Sequence, residues 1–312
     1  MELSLLLMKK ILSLFLDVMI GYGIVHRGLL EERDARPLSN LIMYVIAPCV
    51  FFSAFNQPYT ADRFRGFLLT VLAGVLVHIV NILAARGLKR PLHMKNIEQA
   101  SLVYTNAGNL TIPLVTSVLG EEWTFYACGY VVVQTILLWT HCCSLISEKN
   151  MVQIKKIILN PNIIAMIVSF IFFMTGFQLP ALLQDTVSGL ADMIGPLSMV
   201  VIGMSIAKMD LKKVFLGSGR IYLITFLRLL FFPCMIILLF RFSGIVQLHS
   251  QAREILLVSL LAASAPAAAS VTQFAQIYRK DYELASSINV CTVIFCLITM
   301  PLVIMLYQMV MM

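Results

Sequence analysis

The sequence predicts an all-α polytopic membrane protein in which ten transmembrane helices form a 5+5 inverted repeat. Of the 312 residues, 60% are hydrophobic and only 12% are charged, and the mean hydropathy is +0.89. This composition excludes an ordinary soluble domain. Ten apolar segments reach the roughly 20 residues that a membrane-spanning helix needs. Two of these segments are interrupted at corresponding places in the two halves of the chain, which favours an internal repeat.

The predicted spans follow one another with short connections, so no soluble domain fits between them. The first apolar run is as long as a full span and has no small-residue cleavage motif, so we expect it to be retained rather than removed as a leader. The spans lie at roughly residues 4–26, 37–56, 64–86, 98–119, 123–147, 160–179, 187–207, 216–241, 253–277 and 283–310.

The distribution of charge predicts the orientation in the bilayer. When the loops are assigned alternately to two sides, one side holds sixteen Lys and Arg residues and the other holds six. Basic residues concentrate on the cytoplasmic side, so both termini are expected to be extracytoplasmic in a multi-pass protein of the cell (plasma) membrane. The net charge of +7 is therefore attributed to topology and to contact with lipid, and no nucleic-acid partner is expected.

Proline placement predicts the repeat. Span 2 carries Pro48 and span 7 carries Pro196 in its middle, whereas spans 4 and 9 carry Pro113 and Pro266. The separation is 65 residues in the first half and 70 in the second, by subtraction of these numbers. We therefore expect residues 1–150 and 151–312 to be two copies of a five-helix unit. Five is odd, so the copies have opposite orientations, an arrangement associated with alternating access.

The interruption in span 4 is the stretch 104–115, YTNAGNLTIPLV. Pro113 removes a backbone donor, and Gly108 permits dihedrals that other residues avoid. Asn106 and Asn109 supply amides that donate and accept. Because lipid cannot satisfy a freed backbone, such a break must be buried in protein or line a wet cavity. The two asparagines are candidates for binding an anion beside helix N-termini; the alternative is that they only satisfy the broken backbone.

The second interruption, AASAPAAAS around Pro266, adds Ser264 and Ser270 as candidate binding residues. Arg228 is the only basic residue deep in a span, where a charge must face protein or water. It is expected either to attract a substrate carboxylate or to pair with a buried acid such as Asp192 or Asp17. Asp192 is also a candidate for binding a cation or proton; the alternative is that it simply caps a helix or faces water.

Other functional classes find little support. The chain shows no Gly-rich phosphate loop, no Walker lysine and no HExxH motif, so it is not expected to be an enzyme or to need a cofactor. The seven cysteines have no metal-ligand spacing and are expected to be buried thiols. Because no ATPase motif is present, secondary transport or facilitated diffusion is favoured.

With these residues in view, the chain resembles the auxin efflux carrier family, which includes plant PIN-FORMED carriers and bacterial organic-acid permeases. NAGNLTIPLVTSVLGEEWTFY is similar to the signature N-x-G-N-x-G-x-P-L and its following acidic turn, LNPNIIAMIVSF matches the Asn-Pro opening of the sixth helix, and SAPAAASVTQFAQIYRKDYELASS resembles the second crossover. IGYGIVHRGLL and LSNLIMYVIAPCVFFSAF resemble the first two helices. Together these motifs cover nearly the whole length.

The resemblance implies a fold like that of bile-acid sodium symporters, with helices 4 and 9 unwound and crossing. It also implies a scaffold of helices 1, 2, 6 and 7, a mobile transport unit of helices 3–5 and 8–10, and often a homodimer. In such carriers an Asn at the position of Asn106 meets the substrate carboxylate. Thr111 replaces the second Gly of the signature, which narrows the backbone options and adds a hydroxyl that can change substrate or ion preference.

The resulting hypothesis is a secondary carrier for small organic anions, such as malate-like carboxylates. A membrane receptor that keeps the fold without transporting is the alternative; a channel is disfavoured because no pore-lining ring or filter motif is present. The sequence leaves open whether Na⁺, H⁺ or neither is coupled.

Overall fold

A computed structural model describes residues 2–149, 154–207 and 219–311, and within these ranges the fold is helical. Residues 208–218, which include a predicted loop and the start of the predicted span 216–241, and residues 150–153, between two predicted spans, lie outside the described residues. The helices of eight or more residues are α1 (Glu2–His26), α2 (Glu32–Phe55), α3 (Ala61–Lys89), α4 (Asn96–Val103), α5 (Ala107–Leu119), α6 (Glu121–Ser147), α7 (Pro161–Thr175), α8 (Ala181–Ile206), α9 (Gly219–Phe242), α10 (Ala252–Ser264), α11 (Ala269–Ile277) and α12 (Tyr282–Met311).

The helices coincide with the predicted spans to within a few residues. In the described part of the chain, six of them are long and apolar enough to cross a membrane, namely α2, α3, α6, α8, α9 and α12. The fold is therefore that of a polytopic, all-helical membrane protein. The other predicted spans correspond to α1, to the shorter α7 and to the pairs α4–α5 and α10–α11. The ten-span, 5+5 arrangement stays a prediction.

Local sequence explains where α7 begins and ends. Asn160 caps it, because its Oδ1 accepts from the backbone N–H of Asn162 at 2.9 Å, and Pro161 occupies the first turn, where a missing N–H costs nothing. The helix ends at Gly176, whose φ of +70° suits glycine and closes the last turn. The Asn-Pro pair thus begins the helix that its motif predicted.

Three prolines are accommodated by a widened, π-helical turn. A proline has no N–H and clashes with the preceding turn, so the helix can insert an extra residue instead of breaking. In each case the π-helical turn ends two residues before the proline. The turns and their prolines are Ile42–Ile46 before Pro48, Ala107–Thr111 before Pro113, and Leu227–Phe231 before Pro233.

Helices α1 and α8 pack backbone to backbone. A Cβ added to Gly203 would lie 2.0 Å from the carbonyl oxygen of Val18, and one added to Gly21 would lie 2.1 Å from that of Val200. Only glycine lets two helix backbones approach this closely. Close backbone packing is typical of membrane helices, because the hydrophobic effect does not drive their association within lipid. Because α1 and α8 come from the two predicted halves, this contact joins the halves.

Ion pairs join the halves at the end of the molecule where α3 meets α4. The buried carboxylate of Glu98 accepts from Arg220 through both oxygens, with 2.7 Å between Oε2 and Nη2. Lys95 reaches Asp281 at 2.8 Å and Lys280 reaches Glu148 at 2.6 Å, both at the surface. The contacts hold α4 and α6 of the first half against α9 and the α11–α12 turn of the second.

Candidate functional site

The two interrupted segments meet inside the protein. Thr105, between α4 and α5, forms an antiparallel bridge with Ala267, between α10 and α11. The N–H of Asn106 donates to the carbonyl of Pro266 at 2.8 Å, and the N–H of Ala268 donates to that of Tyr104 at 3.0 Å. All six residues are buried. Four helix ends therefore converge at one point, which we call the crossing. The C-terminal ends of α4 and α10 form its C-terminal side, and the N-terminal ends of α5 and α11 form its N-terminal side.

Side chains from α6 and α12 satisfy the backbone of the bridged residues. Gln134 accepts from the N–H of Thr105 at 3.2 Å and from its hydroxyl at 2.7 Å, and donates to its carbonyl at 2.8 Å. The hydroxyl of Thr292 accepts from the N–H of Ala267 at 3.1 Å, and Asn289 donates to the Ala267 carbonyl at 2.6 Å. Non-helical backbone at membrane depth needs such partners.

Our sequence reasoning missed Gln134, Asn289 and Thr292. A signal was present, because each is a polar residue inside an otherwise apolar helix, in VVVQTILLW and INVCTVIF. A polar side chain within a membrane span costs free energy, so it is usually present because it bonds another buried group or has a function. In each half of the chain, the long helix after the interrupted segment supplies the side chains that bond the interrupted backbone: α6 bonds Thr105, and α12 bonds Ala267.

Arg228 occupies the C-terminal side of the crossing. It is 0% exposed and donates to the carbonyls of Ala263 at 2.8 Å and Ala265 at 2.9 Å, and more weakly to that of Leu102 at 3.3 Å. These carbonyls belong to the ends of α10 and α4, where helix carbonyls lack intrahelical partners. The π-helical turn before Pro233 carries the guanidinium.

The structure does not pair Arg228 with Asp192 or Asp17. Among the described residues, no carboxylate lies within salt-bridge distance of its guanidinium. Asp192 is exposed and lines a separate cavity of about 30 Å³ with Glu121 and Thr116, between α2, α5, α6 and α8. The expected acid partner is replaced by backbone carbonyls, which sequence reasoning cannot see because every residue has one.

The N-terminal side of the crossing holds the predicted asparagines. Asn106 is the N-cap of α5 and is 7% exposed, yet its side chain does not cap the helix. Asn109 and Ser270 are half-buried, in the first turns of α5 and α11. Gly108 does not adopt a positive φ. A Cβ added to it would meet nothing within 4 Å, so the residue leaves open space.

The other predicted site residues differ in where they lie relative to the interrupted segments. Thr111 and Ser264 are buried, and within the described structure their hydroxyls have no hydrogen-bond partner. Pro266 lies in the interruption itself. Pro113 does not: the chain is already helical at Ala107, and Pro113 instead packs on α8, where a Cβ on Gly195 would lie 2.8 Å from it. The π-helical turn lets the helix continue through this proline.

The arrangement suits an anion. A helix N-terminus carries roughly half a positive charge and a C-terminus roughly half a negative one. At this crossing the guanidinium of Arg228 faces the two C-terminal ends, so about one unit of negative partial charge is offset. The first turns of α5 and α11 keep N–H groups without intrahelical partners, and the amide of Asn106, which does not cap α5, lies beside them.

Comparison with known proteins agrees with the motifs. The model of a family described as "membrane transport protein" matches residues 6–153 and 147–304. An uncharacterized transporter of Methanocaldococcus jannaschii is 25% identical over 308 residues, covering 95% of this chain and 97% of that protein. Another of Methanothermobacter thermautotrophicus is 26% identical, covering 94% and 96%. The chain therefore belongs to the membrane transport protein family, the auxin efflux carrier-like family whose motifs it carries.

Proposed function

We propose that this protein is a secondary transporter for small organic anions, with malate-like carboxylates as the substrate class. The observation that carries the proposal is the buried N-terminal side of the crossing, where the side chain of Asn106 is 7% exposed and does not cap α5. An amide and free backbone N–H groups are donors suited to a carboxylate. Ser270 and Asn109, half-buried in the adjoining first turns, extend this set of groups.

The packing supports a division into two moving parts. We propose a scaffold of α1, α2, α7 and α8, and a transport unit of α3–α6 and α9–α12. The glycine contact between α1 and α8 lies inside the proposed scaffold. The polar contacts of Gln134, Asn289 and Arg228 with the crossing all lie inside the proposed transport unit. Such a unit can move as one body and expose the crossing to each side in turn, which is alternating access.

The proposed setting is the cell membrane with both termini outside, which follows from the sixteen-to-six distribution of basic residues. In this orientation the ion pairs of Lys95 and Lys280 lie at the cytoplasmic end. Residues 1–150 and 151–312 are the two proposed inverted copies, and a homodimer through the scaffold is proposed from the family resemblance.

The test is substrate screening followed by flux. Purified protein is screened for thermal stabilisation by mono- and dicarboxylates, and the anions that stabilise it are then followed into liposomes that contain the protein, with protein-free liposomes as control. We expect saturable uptake of at least one stabilising anion. Stabilisation without uptake would replace the carrier by a receptor, and uptake that does not saturate would indicate a channel.

A further inference from the structure

We propose that Arg228 is a built-in cation that takes the place of a coupling Na⁺, so that anion transport by this protein does not require Na⁺. This inference deepens the proposed function, because it concerns what drives the same crossing. The inference rests on the C-terminal ends of α4 and α10, whereas the proposed anion site lies at the N-terminal ends of α5 and α11.

In carriers built on broken helices, the C-terminal ends of half-helices and unwound carbonyls are the groups that bind a coupling cation. Here those groups are occupied by the protein itself. The guanidinium of Arg228 donates to the carbonyls of Ala263 and Ala265, and more weakly to that of Leu102. It thereby reaches both half-helices that end at the crossing.

The charges balance without a further ion. Two helix C-termini together carry roughly one unit of negative partial charge, and Arg228 supplies one positive charge. Its burial is complete, and among the described residues no carboxylate approaches the guanidinium. A second cation at these carbonyls would face the guanidinium at close range in a medium of low dielectric, which is strongly unfavourable.

The position of Arg228 on its own helix supports this assignment. The residue lies within the π-helical turn Leu227–Phe231 that precedes Pro233. Such turns change the direction of side chains and occur often at functional sites. The charge is tethered to α9, which belongs to the second half of the chain, yet it contacts α4 of the first half.

The experiment compares thermal unfolding of purified protein in NaCl and in choline chloride at equal ionic strength, without any substrate. The wild type is expected to have the same Tm in both. Arg228→Ala removes the cation from the carbonyls of Leu102, Ala263 and Ala265. This variant is therefore expected to unfold at a lower temperature than the wild type, and its Tm is expected to be higher in NaCl than in choline chloride. A cation at about ten times its dissociation constant raises Tm by roughly 2 to 5 °C.

Arg241→Ala is the matched control, since Arg241 is exposed on the same helix and its removal should create no response to Na⁺. A Na⁺-dependent rise in the Tm of the wild type would overturn the proposal. So would a folded Arg228→Ala variant that ignores Na⁺.

If Arg228→Ala does not fold, Arg228→Lys retains the charge and is expected to stay indifferent to Na⁺; a Na⁺ response of that variant would count against the proposal. These readouts need no substrate, so they separate this inference from the anion-carrier proposal. A protein that is indifferent to Na⁺ but carries no anion would refute only the latter.

Discussion

Replacing Gln134 by Met should destabilise the crossing without creating a cavity, because the two side chains have similar length and volume. Gln134 makes three hydrogen bonds to Thr105, two of them to its backbone N–H and carbonyl. Polar interactions between membrane helices average about 0.6 kcal/mol each, so three give about 2 kcal/mol. Two backbone groups left unsatisfied cost about 1–3 kcal/mol each, up to about 6 kcal/mol in total.

We therefore expect Gln134→Met to lose about 2–6 kcal/mol of unfolding free energy. Thermal or denaturant unfolding of the purified protein measures this loss. Gln184→Ala is a suitable control, because Gln184 is half-buried and donates only to the Ser188 hydroxyl of its own helix. If Gln134→Met unfolds as the wild type does, the interrupted backbone does not depend on α6, and our account of how it is satisfied is wrong.

Two further predictions concern packing and pH. Gly203→Ala should push α1 away from α8 and lower the unfolding free energy by about 1–3 kcal/mol or more, since its Cβ would meet the Val18 carbonyl. Gly23→Ala is the control and should be neutral, because a Cβ there would meet nothing within 4 Å. Equal Tm values for the two variants would contradict the close packing of α1 against α8. The hydrogen bond and charge of Lys95 lower the pKa of Asp281 from its usual 3.8, so the pair stabilises the fold above that pH and the effect is lost as pH falls through the lowered pKa. Asp281→Asn should therefore lower the unfolding free energy at pH 7 by less than about 1 kcal/mol, because the pair is exposed, and so lower Tm only slightly. Below the folded pKa the variant and the wild type should have the same Tm. A difference in Tm that persists in acid would refute the linkage.

Hydropathy predicted the helices well because burial in lipid requires long apolar segments, and these are visible in composition alone. In the structure the second non-helical segment, residues 265–268, contains Pro266. The first was placed too broadly: the stretch 104–115 includes Pro113, but only Tyr104–Asn106 are non-helical. A proline signals a local disturbance, and the sequence does not say whether a break or a π-helical turn absorbs it.

The site was less predictable than the helices. The asparagines were chosen as candidates because amides are unusual in a span, and the same rule applied more widely would also have selected Gln134 and Asn289. The partners of Arg228 were out of reach, because they are backbone carbonyls exposed by the way two helices end. That geometry depends on contacts between residues more than 100 positions apart, such as Arg228 and Leu102.

The most direct test of the central claim is the affinity of a carboxylate for Asn106 variants, measured together with the Tm of the ligand-free protein. We expect Asn106→Ala to bind a carboxylate found in the screen roughly tenfold to a hundredfold more weakly, from a lost charged hydrogen bond of about 1.5–3 kcal/mol, with near-normal Tm. Asn106→Asp should bind still more weakly, because its charge opposes the anion. Asn289→Ala, whose amide supports Ala267, should instead lower Tm. Unchanged affinity in Asn106→Ala, or a loss of Tm without a loss of affinity, would contradict an anion site at the crossing.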